Sequence, residues 1–289
     1  MTERYLYNKA KIFLRPYEYL ELEQPIFPAN IIAEFDEFQL LDKIPVIDSL
    51  IIEGGDAESA AFDSLYKHTE IKSMKIDYYE TEGYSSWTID LSNFPSLQIL
   101  VSRSSYNFAN ISSAKSLKAL LVGEWYNPDF SVLEGSGIES LVIINGKKLI
   151  SFNGFSSDSL KTLFVSYSRV KEISPLASFN SLEQLEIDHC HCIADWNSFC
   201  MPSLKILFLL GNNKLQSVLF VNNLPNLQSF LLEGSIEDGN LVPLKRLNRC
   251  FVSPHKKDYN VSKHELKEVY DFKTPLSIEP QFRYRDRNI

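Results

Sequence analysis

Ser159-Leu160-Lys161-Thr162-Leu163-Phe164-Val165 recurs as Ser181-Leu182-Glu183-Gln184-Leu185-Glu186-Ile187, and again as Ser203-Leu204-Lys205-Ile206-Leu207-Phe208-Leu209. The shared frame is apolar, two variable, apolar, one variable, apolar. Its first positions, Leu160, Leu182 and Leu204, stand 22 residues apart. Toward the N-terminus the frame holds at Ile138, Leu141 and Ile143, and at Leu117, Leu120 and Val122. Leu97 and Leu100 keep it with Ser102 in third place, and it persists at Ile71, Met74, Ile76 and more weakly at Ile47, Leu50, Ile52. Toward the C-terminus it holds at Leu227, Phe230, Leu232 and ends, degenerate, at Leu247, Cys250, Val252. Ten units result, with steps of 20 to 26 residues.

The last two apolar positions of each frame are two apart, the period of a strand with one buried face. Between frames the period changes to three, as in Phe108, Ile111, Ala114, Leu117. Val170, Ile173, Leu176, Phe179, Leu182 and Leu215, Val218, Val221, Leu224, Leu227 repeat it. That spacing suits 3-10 turns. Each unit therefore predicts a short strand, a turn and a tight return. A unit so small cannot bury its apolar face alone, so neighbouring units must stack and share a core.

The sequence resembles the leucine-rich repeat family, whose pattern is L-x-x-L-x-L-x-x-N/C-x-L. Leu204, Leu207, Leu209 and Asn212 fit it best, with Leu215 one place late, and Cys190 falls on the Asn/Cys position of the preceding unit. Ser168 and Ser235 fill that place elsewhere; Gly55, Tyr79, Trp125 and Gly146 depart from it. The resemblance covers residues 46–253. It implies an α/β leucine-rich repeat solenoid, a curved horseshoe with a parallel β-sheet on the concave face. The convex face would carry 3-10, short helical or extended returns. Residues 1–45 and 254–289 lack the frame and are expected to cap the two open ends. Within the C-terminal cap, Ser262–Phe272 reads as one helix, with Leu266, Val269 and Tyr270 on one face. The extreme C-terminus carries Arg283, Arg285 and Arg287.

The 289 residues are 44% apolar and 23% charged, ordinary for a globular protein that needs no metal or disulfide staple. The net charge of −8 argues against a nucleic-acid backbone as partner. It suits solubility or a basic protein partner. No segment reads as a signal peptide or membrane span. Three of the four cysteines, Cys190, Cys192 and Cys200, cluster instead of forming a secreted framework. Both features predict a cytoplasmic protein.

Chemistry is sparse. Asp188-His189-Cys190-His191-Cys192 invites a metal reading, but it lacks C-x-x-C and H-x₃-H spacing. In an extended chain its cysteines would point one way and its histidines the other. Gly54-Gly55-Asp56 lacks the lysine and the spacing of a phosphate loop and reads as a turn. No nucleophile elbow or acid–base pair can be placed. The chain is therefore expected to be non-enzymatic, with no cofactor.

The positions left free by the frame are more informative. Between its last two residues runs the column Ile51, Lys75, Val101, Leu121, Val142, Phe164, Glu186, Phe208, Leu231, Phe251. Eight of these ten are apolar, which a solvated column would not favour. Two residues on runs Glu53, Asp77, Arg103, Gly123, Ile144, Ser166, Asp188, Leu210, Glu233, Ser253, with four acids and one base. Apolar anchors beside an acidic column suit a basic protein partner. The expected contact residues are Val101, Arg103, Leu121, Val142, Phe164, Glu186, Asp188, Phe208, Leu231, Glu233 and Phe251. Tyr78, Trp125 and Tyr167 are expected as aromatic anchors near the strand ends. Two forms of such binding fit: an immunity protein neutralising a toxin domain, or an exported effector binding a host protein.

Overall fold

The computed structural model describes residues 30–52, 54, 61–76, 87–155, 157–190, 193, 196, 197 and 199–266. The chain divides into two compact units, with the break between Glu124 and Trp125. The strand of each repeat forms where the frame puts it, because alternate apolar residues can bury one face of an extended chain.

The first unit holds β1 (Asn30–Ala33), β2 (Ser49–Ile52), β3 (Ser73–Ile76), β4 (Ile89–Asp90), β5 (Ile99–Ser104), β6 (Phe108–Ala109) and β7 (Ala119–Glu124). Strands β1, β2, β3, β5 and β7 pair in parallel, each with the next. Their register aligns Ile31, Leu50, Met74, Leu100 and Leu120, all buried. The short strands β4 and β6 pair on their own, Ile89 opposite Phe108. The sheet thus begins inside the stretch expected as a cap. β1 belongs to it, and the 3-10 helix Phe35–Lys43 follows. Phe35 and Phe38 are fully buried there, with Trp87 4.4 Å from Phe35 between ring centroids. Buried His68 ties this helix down through Nε2, 3.1 Å from the Leu41 carbonyl.

The second unit holds β8 (Ser140–Asn145), β9 (Thr162–Ser166), β10 (Gln184–Asp188), β11 (Ile206–Leu215), β12 (Ser229–Ile236) and β13 (Arg249–Ser253). These too pair in parallel, each with the next. Leu141, Leu163, Leu185, Leu207, Phe230 and Cys250 align as one buried row. Ile143, Val165, Ile187, Leu209, Leu232 and Val252 form the next. Between β11 and β12 the register shifts: Leu209 pairs with Leu232, but Asn213 pairs with Gly234.

The period of three between frames does produce 3-10 helices, at Ser131–Leu133, Ser174–Ser178, Leu219–Asn223 and Val242–Arg246. Ile173, Leu176, Phe179 and Leu182 are all buried along one such return. Pro175 and Pro243 occupy first-turn positions, where a missing N–H costs nothing. The Arg246 guanidinium donates to the carbonyls of Val221 (2.6 Å) and Leu224 (2.7 Å), which also accept the backbone N–H groups of Leu224 and Leu227, and so ties its repeat to the preceding return.

In the expected C-terminal cap, residues 263–266 form a turn. Ser262 and Glu265 bond reciprocally, the Ser262 N–H donating to Glu265 (3.0 Å). That bond and the Lys245 ammonium hold the Glu265 carboxyl down at about 2. The rest of the helix expected at Ser262–Phe272 lies outside the described residues. Each unit is a stack of parallel-strand repeats with 3-10 returns, and the fold is a leucine-rich repeat one.

Candidate interaction surface

The frame residues fill the core, so the intervening positions fall on the opposite face of the sheet. In the second unit strand pairing assembles three adjoining columns there. The middle one is Val142, Phe164, Glu186, Phe208, Leu231 and Phe251, aligned as their spacing requires. Asp188 pairs with Ser166 and Leu210, and Glu233 with Ser253, in the second column. The third lies on the other side of the middle one and runs Ser140, Thr162, Gln184, Ile206, Ser229, Arg249.

Exposure changes along the middle column. Val142, Phe164 and Glu186 are buried, whereas Phe208, Leu231 and Phe251 are half-buried. Glu233 is exposed, and its carboxylate accepts a hydrogen bond from the Gly211 N–H at 3.2 Å. Within the second unit the described part of the apolar strip is therefore accessible over β11–β13. In the first unit Val101 and Leu121 align on adjacent strands and are buried, while Arg103 is exposed. Glu53, Asp77 and Tyr78 lie outside the described residues.

Trp125 is a correction. It is 1% exposed, packs edge-on against Phe130 at 5.9 Å, and donates its indole N–H to the Asp129 carbonyl at 3.3 Å. It is a core residue and offers a partner no surface. Tyr167 is half-buried and stacks on His189, with ring centroids 4.7 Å apart. Both have left-handed backbones, φ 53° and 50°, and Gly211 takes the same conformation one repeat later. A Cβ at Gly211 would lie 2.6 Å from His189 Nδ1, so the imidazole needs a glycine beneath it.

Asp188 is buried between two partners. The Ser166 hydroxyl donates to its Oδ2 at 3.1 Å, and His189 Nδ1 bonds its Oδ1. The order is Ser–Asp–His, with the carboxylate in the middle. Nucleophile activation needs the imidazole between the other two. The trio orients side chains at the strand ends and does not build an acyl-transfer site.

Cys190 accounts for its place in the repeat pattern. Its Sγ accepts hydrogen bonds from the Ser168 N–H (3.3 Å) and hydroxyl (3.0 Å), joining equivalent turns of adjacent repeats. Burial pushes its thiol up to about 11. At pH 8 roughly one molecule in a thousand then carries a Cys190 thiolate. A disulfide reagent at that pH should modify exposed Cys200 at least about 100-fold faster than buried Cys190, read by peptide mass mapping. Equal rates would show that the turn opens readily. His191, Cys192 and Asp195 lie outside the described residues.

Sequence reading missed the third column, although its positions sit two residues before the middle one in every unit. It also missed Arg246, for which the repeat pattern holds no signal.

No family model matches the chain, and no curated protein matches it. An internalin from Listeria monocytogenes has a similar solved structure, with 14% identity over 83% of this chain and 85% of that one, and a TM-score of 0.47. A leucine-rich repeat protein from Leptospira interrogans is 15% identical over 77% of this chain and 70% of its own, with a TM-score of 0.37. At these identities the likeness concerns the fold alone, and the strand register of this chain carries that conclusion by itself.

Proposed function

We propose that the chain is a non-enzymatic protein-interaction module whose partner seats on the sheet face over β11–β13. The observation that carries this reading is the row Phe208, Leu231, Phe251. Three large apolar side chains stand half-buried on adjacent strands, in register, beside the exposed carboxylate of Glu233. Clustered aromatic anchors with a charged rim are how interfaces concentrate their energy. The acidic rim and the net charge of −8 favour a basic partner. Neutralising a basic toxin domain, as an immunity protein does, is one form this binding takes. Binding a host protein after export is another. Among the described residues no helix is long and apolar enough to cross a membrane.

The test starts from partner capture in the native cell, followed by affinity measurement on the purified pair. Replacing Phe208 and Phe251 together by alanine should weaken binding about 30-fold or more, the loss of roughly 2 kcal/mol at a hot spot. The melting transition should stay within a few degrees of wild type, because both side chains lie on the outer face. Undiminished affinity in a folded double variant would refute this surface. The identity of the captured protein separates the toxin and host readings.

A further inference from the structure

At the C-terminal ends of β9 and β10 the second unit departs from the regular repeat. Ser166 and Asp188 end the two strands on the outer face, so continued alternation would send Tyr167 and His189 into the core. Left-handed backbones, φ 53° and 50°, turn both aside. Both rings stay half-buried, stacked at 4.7 Å with 21° between their planes. That conformation costs a residue with a Cβ, whereas glycine takes it freely. Gly211 does so one repeat later, at φ 82°. Glycine would therefore serve the turn at all three places. A strained backbone that carries large, partly open side chains points to a use for those side chains.

The aromatic stack ends at a carboxylate. Gly211 is their common neighbour: its N–H donates to Glu233 Oε2 at 3.2 Å, and a Cβ on it would lie 2.6 Å from His189 Nδ1. Imidazole and carboxylate thus meet over one glycine, with the Tyr167 ring on the far side of the imidazole. Glu233 is exposed, and the Gly211 N–H engages one of its two oxygens. Buried Asp188, bonded to His189 Nδ1, holds the imidazole in place and sets a second carboxylate behind it. Leu231, two residues before Glu233 on β12, pairs with Phe208 on β11, and together they form a half-buried apolar shoulder beside the carboxylate.

We propose that this corner is an arginine site: the protein partner seated on β11–β13 inserts an arginine whose guanidinium lies against the Tyr167–His189 stack and forks onto Glu233. The inference rests on the partner reading above and names the side chain that the partner contributes. A guanidinium is planar, so it can lie against a ring and pair with a carboxylate through two parallel N–H bonds. Its charge also favours the electron-rich face of an aromatic ring. Lysine brings a strongly hydrated point charge, which suits the carboxylate and leaves the stack unused. The methylene stem of arginine fits the shoulder of Leu231 and Phe208. A nucleobase is also flat, but it arrives with phosphates, which Glu233 and the net charge of −8 repel.

Selection of random twelve-residue peptides on the full chain tests this, with the affinity of each recovered peptide read by fluorescence anisotropy. Recovered peptides should carry arginine, and exchanging it for lysine should weaken binding at least tenfold. Glu233→Gln should weaken it as much, and so should Tyr167→Gly. The Tyr167→Gly chain should melt within a few degrees of wild type or above it, because glycine accepts the left-handed backbone. A Tyr167 with only a structural role would do the reverse, lowering the melting temperature and leaving affinity unchanged, and that result counts against the site. Glu233 is exposed, so Glu233→Gln keeps the test decisive if Tyr167→Gly does not fold. Peptides that need Phe208 and Phe251 but accept lysine, or ignore Glu233→Gln, overturn the arginine site and leave the partner face standing. Peptides indifferent to Phe208→Ala/Phe251→Ala as well overturn both. A selection that recovers no binder overturns the arginine site.

Discussion

Replacing Gly234 by alanine should destabilise the protein by about 3 kcal/mol, among the larger effects any single methyl can have here. A Cβ at this position would lie 1.9 Å from the backbone carbonyl oxygen of Asn213, far inside any real contact. Its backbone sits at φ 152°, which a side chain also resists. The methyl cannot turn aside, because the atom it meets is main chain on the neighbouring strand. Gly239 supplies the comparison. It also has positive φ, 64°, but its nearest neighbour would be the Asp258 carbonyl oxygen at 3.2 Å. Gly239→Ala should cost only about 1 kcal/mol, mostly for the left-handed backbone. Urea unfolding checks both through the shift of the midpoint at constant slope. A Gly234→Ala chain within about 0.5 kcal/mol of wild type would mean that β11 and β12 separate there at little cost.

Phe130→Ala is expected to cost about 4 kcal/mol, the transfer of a buried ring plus the cavity it leaves. Phe130 is fully buried between Trp125 and Phe152, with ring centroids 5.9 Å and 5.6 Å away. Its removal takes one wall from each. The Asp129 carbonyl that holds the Trp125 indole is its immediate neighbour, so the loss should also appear as a change in tryptophan fluorescence. Phe130→Leu should recover most of the stability, to within about 1.5 kcal/mol of wild type. Val132, two residues on but 39% exposed, should tolerate alanine within about 0.5 kcal/mol. If Phe130→Ala behaved like Val132→Ala, the aromatic cluster would contribute no packing.

The strand register was legible because repetition multiplies a weak signal. One L-x-x-L-x-L frame says little, but Leu163, Leu185 and Leu207 recur at 22 residues and pair as that spacing demands. Val142, Phe164, Glu186 and Phe208 then fall into one column without further assumption. Burial was not legible, because it depends on what lies over a face and not on which face a residue takes. Phe164 and Phe208 read alike in sequence, yet one is buried and the other half open. Trp125 was misread for another reason. It stands at the turn position where the family uses a small polar side chain, and there a large ring goes into the core. β1 escaped notice because Pro28 stands where its first leucine would be and Ala33 fills its last apolar place.

The register shift between β11 and β12 bears on how such an array can change its number of repeats. Around β9 and β10 every rung is paired without offset, so a 22-residue module could be duplicated or lost there with its neighbours still matched. At β11 four backbone steps, Leu209 to Asn213, face two on β12, Leu232 to Gly234, and Gly234 fits only against that offset. Those two repeats can be inherited only as a pair. On either side of them the strands pair without offset, and they mark a fixed point in the array's length.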